Sequence, residues 1–184
     1  EIWSKETGEN LWLAKANAQK AEVYSKKNVY DSVVLYSKVA ITLFEKNDDR
    51  TASLWPLNTL GGAYLDLGQQ EKALEEFLKG LKLSEEINDK VQTATFLTAI
   101  GNSYRKYKDS KSAIDYLERA LALSKTIDAD PSLPKRIFSN LALAYDLADQ
   151  TEKSIQLFKN VLKDFELSTY DSSKIHTNIA RSYI

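Results

Sequence analysis

A five-residue pattern returns along this chain at an interval longer than one helix or strand, and that interval limits the fold more than any other feature. Leu60-Gly61-Gly62-Ala63-Tyr64 is followed by Ile100-Gly101-Asn102-Ser103-Tyr104, by Leu141-Ala142-Leu143-Ala144-Tyr145, and by Ile179-Ala180-Arg181-Ser182-Tyr183. The tyrosines step by 40, 41 and 38 residues, and a backward step of 40 from Tyr64 reaches Tyr24, in a weaker copy. A period of this size makes each repeat one supersecondary unit that cannot bury its apolar face alone, so neighbouring units must stack.

Within the period the residues are helical. Downstream of the tyrosines, Ala73, Leu74, Phe77, Leu78 and Leu81 correspond to Ala113, Ile114, Leu117, Ala120 and Leu121. Ser154, Ile155, Phe158, Val161 and Leu162 continue the series, and Val33, Val34, Ala40, Ile41 and Phe44 precede it. Such spacing draws one stripe on an α-helix and does not fit the two-residue alternation of a strand. Each unit is therefore a helix pair. The pattern predicts an all-α chain of nine antiparallel helices: 9–27, 30–46, 51–67, 70–87, 90–107, 110–127, 131–148, 151–166 and 171–184. Gly68 is placed to end a helix in the left-handed conformation, and Lys106 and Lys108 sit where a helix C-terminus attracts cations. Asp130 before Pro131 reads as an N-cap with proline at the first helical position, and Pro134 falls in the first turn. Pro56 is expected to kink a helix that starts near Thr51.

Composition narrows the function classes. Twenty-five Lys and Arg against twenty-six Asp and Glu give a net charge of −1, a poor match to a nucleic-acid partner. With no cysteine and one histidine, the chain has almost no material for a zinc site, a Cys nucleophile or a His-based triad. Adjacent acids such as Asp48-Asp49, Glu75-Glu76 and Glu85-Glu86 diverge by about 100 degrees on a helix and are read as solvated. His176 is expected to be half-buried in packing. No phosphate-binding glycine loop or nucleophile elbow occurs, and no cofactor or metal is expected. No segment is apolar enough to insert in a membrane, and the N-terminus lacks a basic stretch before an apolar run. The expectation is a soluble chain with the cytoplasm the favoured compartment; cysteine usage decides nothing about location.

The matched positions resemble the tetratricopeptide repeat (TPR), whose unit is a helix-turn-helix with Leu-Gly-x-x-Tyr on the first helix and Ala-x-x-x-Phe on the second. Leu60, Gly61, Tyr64, Ala73 and Phe77 stand at those offsets, and Gly101, Tyr104, Ala113 and Ala120 repeat the register. The common unit is about 34 residues and closes with proline, whereas here the positions are Glu85, Lys125 and Glu166, so the second helix can run on. Long units of this kind resemble TPR domains of bacterial peptide-sensing regulators, of some histidine-kinase sensor regions, and of kinesin light chains and polarity adaptors. The resemblance implies an α-α superhelix, a TPR-like solenoid of four and a half repeats forming a single domain over 1–184. Its units are 9–47, 51–88, 90–128 and 131–167, with a half unit at 171–184. The small residue three before each tyrosine would let the paired helices approach closely.

In such an array the first helix of each unit lines the groove. The register assigns Trp55, Asn58, Thr59, Gly62, Leu65 and Asp66 to that lining, then Thr95, Thr98, Asn102, Arg105 and Lys106. Arg136, Ser139, Asn140, Leu143 and Asp146 follow, and then Lys174, Thr177, Asn178 and Arg181. Asparagine donates to and accepts from a peptide backbone, and arginine forks onto a carboxylate, so an acidic peptide suits this surface. The expected peptide-binding set is Trp55, Asn58, Thr98, Asn102, Arg105, Arg136, Asn140, Asn178 and Arg181. A clamp for C-terminal carboxylates needs Lys and Asn where Ala18, Glu22, Thr95 and Ala99 stand, which argues against one. The basic-aromatic run at 104–108 is explained by the helix C-terminus without a phosphate ligand.

The last helix, bearing Ile175, Ile179, Tyr183 and Ile184, is half a unit, and an uncovered apolar stripe invites self-association. Together with the absence of Met, this sets the expectation of a piece of a longer protein. The functional expectation is a non-enzymatic scaffold for a protein or peptide partner. The alternative is a peptide- or ligand-sensing module of a bacterial histidine kinase or transcription regulator.

Overall fold

The structure, a computed structural model, describes residues 2–127, 132–165 and 168–181, with side chains from residue 8. Among these residues every regular element is helical. The α-helices are α1 (Ile2–Lys26), α2 (Tyr30–Lys46), α3 (Leu54–Asp66), α4 (Gln70–Glu86), α5 (Lys90–Lys106), α6 (Ser110–Ser124), α7 (Ser132–Leu147), α8 (Thr151–Asp164) and α9 (Thr169–Arg181). A 3₁₀ turn, Arg50–Ser53, precedes α3. The Asp130-Pro131 cap, Glu166, Tyr183 and Ile184 lie outside the described residues.

Two boundaries differ from expectation. Helix α1 starts at Ile2 rather than near residue 9, because an exposed glycine such as Gly8 costs a helix only about 1 kcal/mol relative to alanine. The helix expected from Thr51 is broken instead of kinked: the chain closes the 3₁₀ turn first, and Pro56 falls in the first turn of α3, where its missing N–H is harmless.

The helices form two compact units, Glu1–Phe96 and Leu97–Ile184, with the division inside α5. In the first unit α1 packs on α2, α2 on α3 and α3 on α4; in the second α6 packs on α7, α7 on α8 and α8 on α9. The repeated tyrosine does two jobs. Its ring packs between helices: Tyr24 stacks on Tyr36 at 5.4 Å and Tyr104 on Tyr116 at 5.6 Å, while Tyr64 and Tyr145 are buried. Its carbonyl closes the helix, accepting from the N–H five residues on: Val29 to Tyr24 at 3.0 Å, Gln69 to Tyr64 at 2.8 Å, Asp109 to Tyr104 at 3.0 Å and Gln150 to Tyr145 at 2.9 Å. The residue between takes a positive φ, as this helix ending requires. Left-handed residues occur at Asn28, Asp48, Gly68, Asn88, Lys108 and Asp149, the first five spaced by 20. The predicted Gly68 is thus one instance of a device set twice per repeat.

Close helix approach fixes the small residues. A Cβ at Gly61 would overlap the Phe77 ring, one at Gly80 the Phe96 ring, and one at Gly101 would lie 2.6 Å from Leu117 Cγ. The described part of α9 is seated rather than bare: Ile175 is buried and Ile179 packs beside it, in a cluster with Ala142, Phe158 and Val161. The stripe expected to be uncovered is covered there by α7 and α8.

Candidate functional site

In the second unit, α5, α7 and α9 enclose a cavity of about 330 Å³ with Phe158 of α8 at its base. Four residues of the expected groove set line it together: Arg105, Arg136, Asn140 and Asn178. Helical spacing brings them there. Arg136, Ser139, Asn140 and Leu143 fall on one stripe of α7, and Lys174, Ile175 and Asn178 on one stripe of α9. Leu143, Phe158 and Ile175 make an apolar floor, and charged heads stand around it.

The electrostatics are one-sided. Arg105, Lys135, Arg136 and Lys174 face a single carboxylate, Asp171. Lys135 reaches Asp171 at 3.6 Å. A terminal nitrogen of Arg105 donates to Asn102 Oδ1 at 2.7 Å, which aims the guanidinium, while Arg105 Nε is buried with no acceptor. Arg136 and Lys174 have no carboxylate partner among the described residues. Burial lowers the pKa of both Arg105 and Arg136, although Arg136 is exposed along much of its length. A guanidinium starts so high that both stay cationic.

The remaining expected residues are placed otherwise. Asn102 lies behind Arg105 as its acceptor and does not line the cavity. Thr98 is 2% exposed, which removes it from any groove: its position faces packing. Leu65 is buried for the same reason. Arg181, at the end of α9, is exposed and outside the cavity. Trp55 and Asn58 belong to the first unit, Trp55 at 39% exposure and Asn58 half-buried. Lys135 and Asp171 were missed by the groove register; Asp171 stands one turn before Lys174 and Ile175, and extending the α9 stripe backwards would have found it. Two further expectations are corrected. His176 is exposed, its Nδ1–H donating to the Ser172 carbonyl at 2.7 Å, because its position points away from the Ile175 side. Glu76 is 9% exposed rather than solvated, held by Lys79 at 3.2 Å.

The first unit holds a cavity of another kind, about 420 Å³, between α2 and α4 with the 3₁₀ turn at one end and Leu57 and Leu60 of α3 beneath. Its cations are engaged by the protein's own groups. Lys79 pairs with Glu75 at 2.8 Å and with Glu76, Arg50 with Glu86 at 3.4 Å, and Lys82 with Glu86 at 3.9 Å. Lys38 lies 5.7 Å from the Tyr64 ring centre. Among the described residues no group of His, Asp and Glu converges as a metal site, and no helix is long and apolar enough to cross a membrane.

Comparison with known proteins follows the same lines. A family profile described as tetratricopeptide repeat matches residues 51–126. Response regulator aspartate phosphatase E of Bacillus subtilis (strain 168) is 26% identical over 147 residues, 78% of this chain and 38% of that protein. The 43 kDa receptor-associated protein of the synapse of Gallus gallus is 31% identical over 108 residues, 54% of this chain and 26% of that protein. The chain thus spans less than half the length of either relative. Among solved structures, the apo form of RapI superposes with a TM-score of 0.75 at 21% identity, covering 82% of this chain and 55% of that one. A kinesin light chain-like repeat protein of Podosopora anserina gives 0.74 at 18%, covering 92% and 84%. These structures share the all-α fold class of TPR-like solenoids.

Proposed function

We propose, from the tetratricopeptide-repeat match over residues 51–126 and the all-α solenoid fold, that the chain is a non-enzymatic interaction scaffold whose second unit captures an acidic polypeptide segment. The observation that carries the reading is the convergence of Arg105, Arg136, Lys135 and Lys174 on a cavity whose only described carboxylate is already engaged. Asn140 and Asn178 add amides of the kind that hold an extended backbone. Protein or peptide partners are what the family's fold supports.

The test is fluorescence anisotropy with a labelled Asp/Glu-rich peptide. Alanine at Asn102, Arg136 and Asn140 together is expected to weaken capture at least about tenfold, the size of a lost charge-assisted pair, without changing helicity. Unchanged affinity refutes the assignment.

A second reading makes the chain a sensor module of a signalling regulator. It is favoured by the 26% identity to a protein whose name makes response regulators its target. Under that reading the same cavity binds the signal, and a pull-down on the full-length protein recovers a response regulator only when the segment is absent.

A further inference from the structure

The charge in the second-unit cavity exceeds what a simple acidic side chain answers. With Lys135 engaged by Asp171, Arg105, Arg136 and Lys174 remain without a carboxylate among the described residues. One carboxylate would neutralise one of the three. We propose that this cavity takes a phosphate monoester carried on the bound polypeptide, an inference that rests on the acidic-segment reading above and names its anchor.

Three features carry it. The first is charge: a phosphorylated side chain brings about −1.5 to −2 at pH 7 in one compact group, so it answers two cations without needing two side chains in the space. The second is donor supply. Two guanidinium groups and an ammonium converge, and Arg105 Nε is buried without an acceptor although its terminal nitrogen is already committed to Asn102. A phosphate has three terminal oxygens for such donors where a carboxylate has two, and the guanidinium fork matches its geometry. The third is size. A cavity of about 330 Å³ admits one such side chain on an apolar floor, near the lower end of the roughly 300–1,000 Å³ typical of ligand sites.

The experiment uses three labelled peptides of one acidic sequence that differ at a central position as Ser, Glu or phosphoserine. Phosphoserine is expected to bind the chain at least about tenfold more tightly than Glu, with Ser weakest. Arg136→Lys keeps the charge and removes the fork; it is expected to shrink the phosphoserine advantage to about threefold or less with Tm unchanged. Lys174→Gln should reduce the same advantage by lowering the charge. Equal affinity for the Glu and phosphoserine peptides overturns the inference and leaves the acidic-segment reading standing. No binding of any of the three overturns both. Competition by free O-phosphoserine as strong as by the phosphopeptide overturns the polypeptide half of the proposal.

Discussion

The two cavities of this molecule are built from the same repeat and end up chemically opposite. In the first unit the walls come from the second helices, α2 and α4, and three of the four cations there meet glutamates of α4, Lys79 with Glu75 and Glu76, Lys82 and Arg50 with Glu86, while Lys38 lies over the Tyr64 ring. In the second unit the walls come from first helices, α5, α7 and α9, and one Asp171 stands against four cations. Two cavities of similar volume thus differ in whether their charge is already spent. A cation satisfied within its own helix stabilises a surface modestly and gives a ligand little; a desolvated cation left unpaired gives a ligand much.

The largest expected effect separates the two directly. Arg136→Glu should weaken capture of the acidic peptide by about a hundredfold or more, since it removes an attraction and adds a repulsion, each worth at least about tenfold. Arg50→Glu in the first unit should leave capture within about twofold. Equal losses from both would erase the distinction. Gly101→Val sharpens it from the side of stability: with Leu117 in the way, the α5–α6 contact should lose about 1–3 kcal/mol by chemical denaturation. Lys79→Ala should cost about 1 kcal/mol by leaving the mostly buried Glu76 without its cation, while capture is unchanged. The smallest effect is one of pH. Burial, and then the hydrogen bond that Tyr145 donates to Glu118, raise the Tyr145 phenol from 10.0 to about 12. A raised acid of this kind stabilises the fold fully below the unfolded value, and the contribution is lost as pH climbs from about 10 to about 12. In an ultraviolet phenolate titration Tyr145→Phe should remove a step near 12 and flatten the fall in stability across that window.

Much of this architecture was readable because the repeat writes it several times. Tyr64, Tyr104 and Tyr145 fixed the register, and the register fixed the faces on which Arg105, Arg136, Asn140 and Asn178 meet. What stayed hidden depends on single atoms or single turns. Thr98 looks like its polar neighbours in sequence, and only packing shows it at 2% exposure. The left-handed residue of each turn is legible as Gly68, and less so as Asn28, Asn88, Asp48 or Asp149, whose side chains tolerate that region. Lys108 carries no such signal, and its backbone is set there by the Asp109 N–H reaching the Tyr104 carbonyl. The unsatisfied Nε of Arg105 depends on how Asn102 takes the terminal nitrogen, which no spacing rule states.

The chain has five arginines, Arg50, Arg105, Arg119, Arg136 and Arg181, few enough to follow each side chain by nitrogen-15 NMR of its Nε–H. Adding the acidic peptide should shift and sharpen the Nε–H signals of Arg105 and Arg136 as their protons gain acceptors and exchange more slowly, with Arg50 and Arg119 unmoved. A shift at Arg50 with Arg105 and Arg136 still would place the site elsewhere and contradict the account.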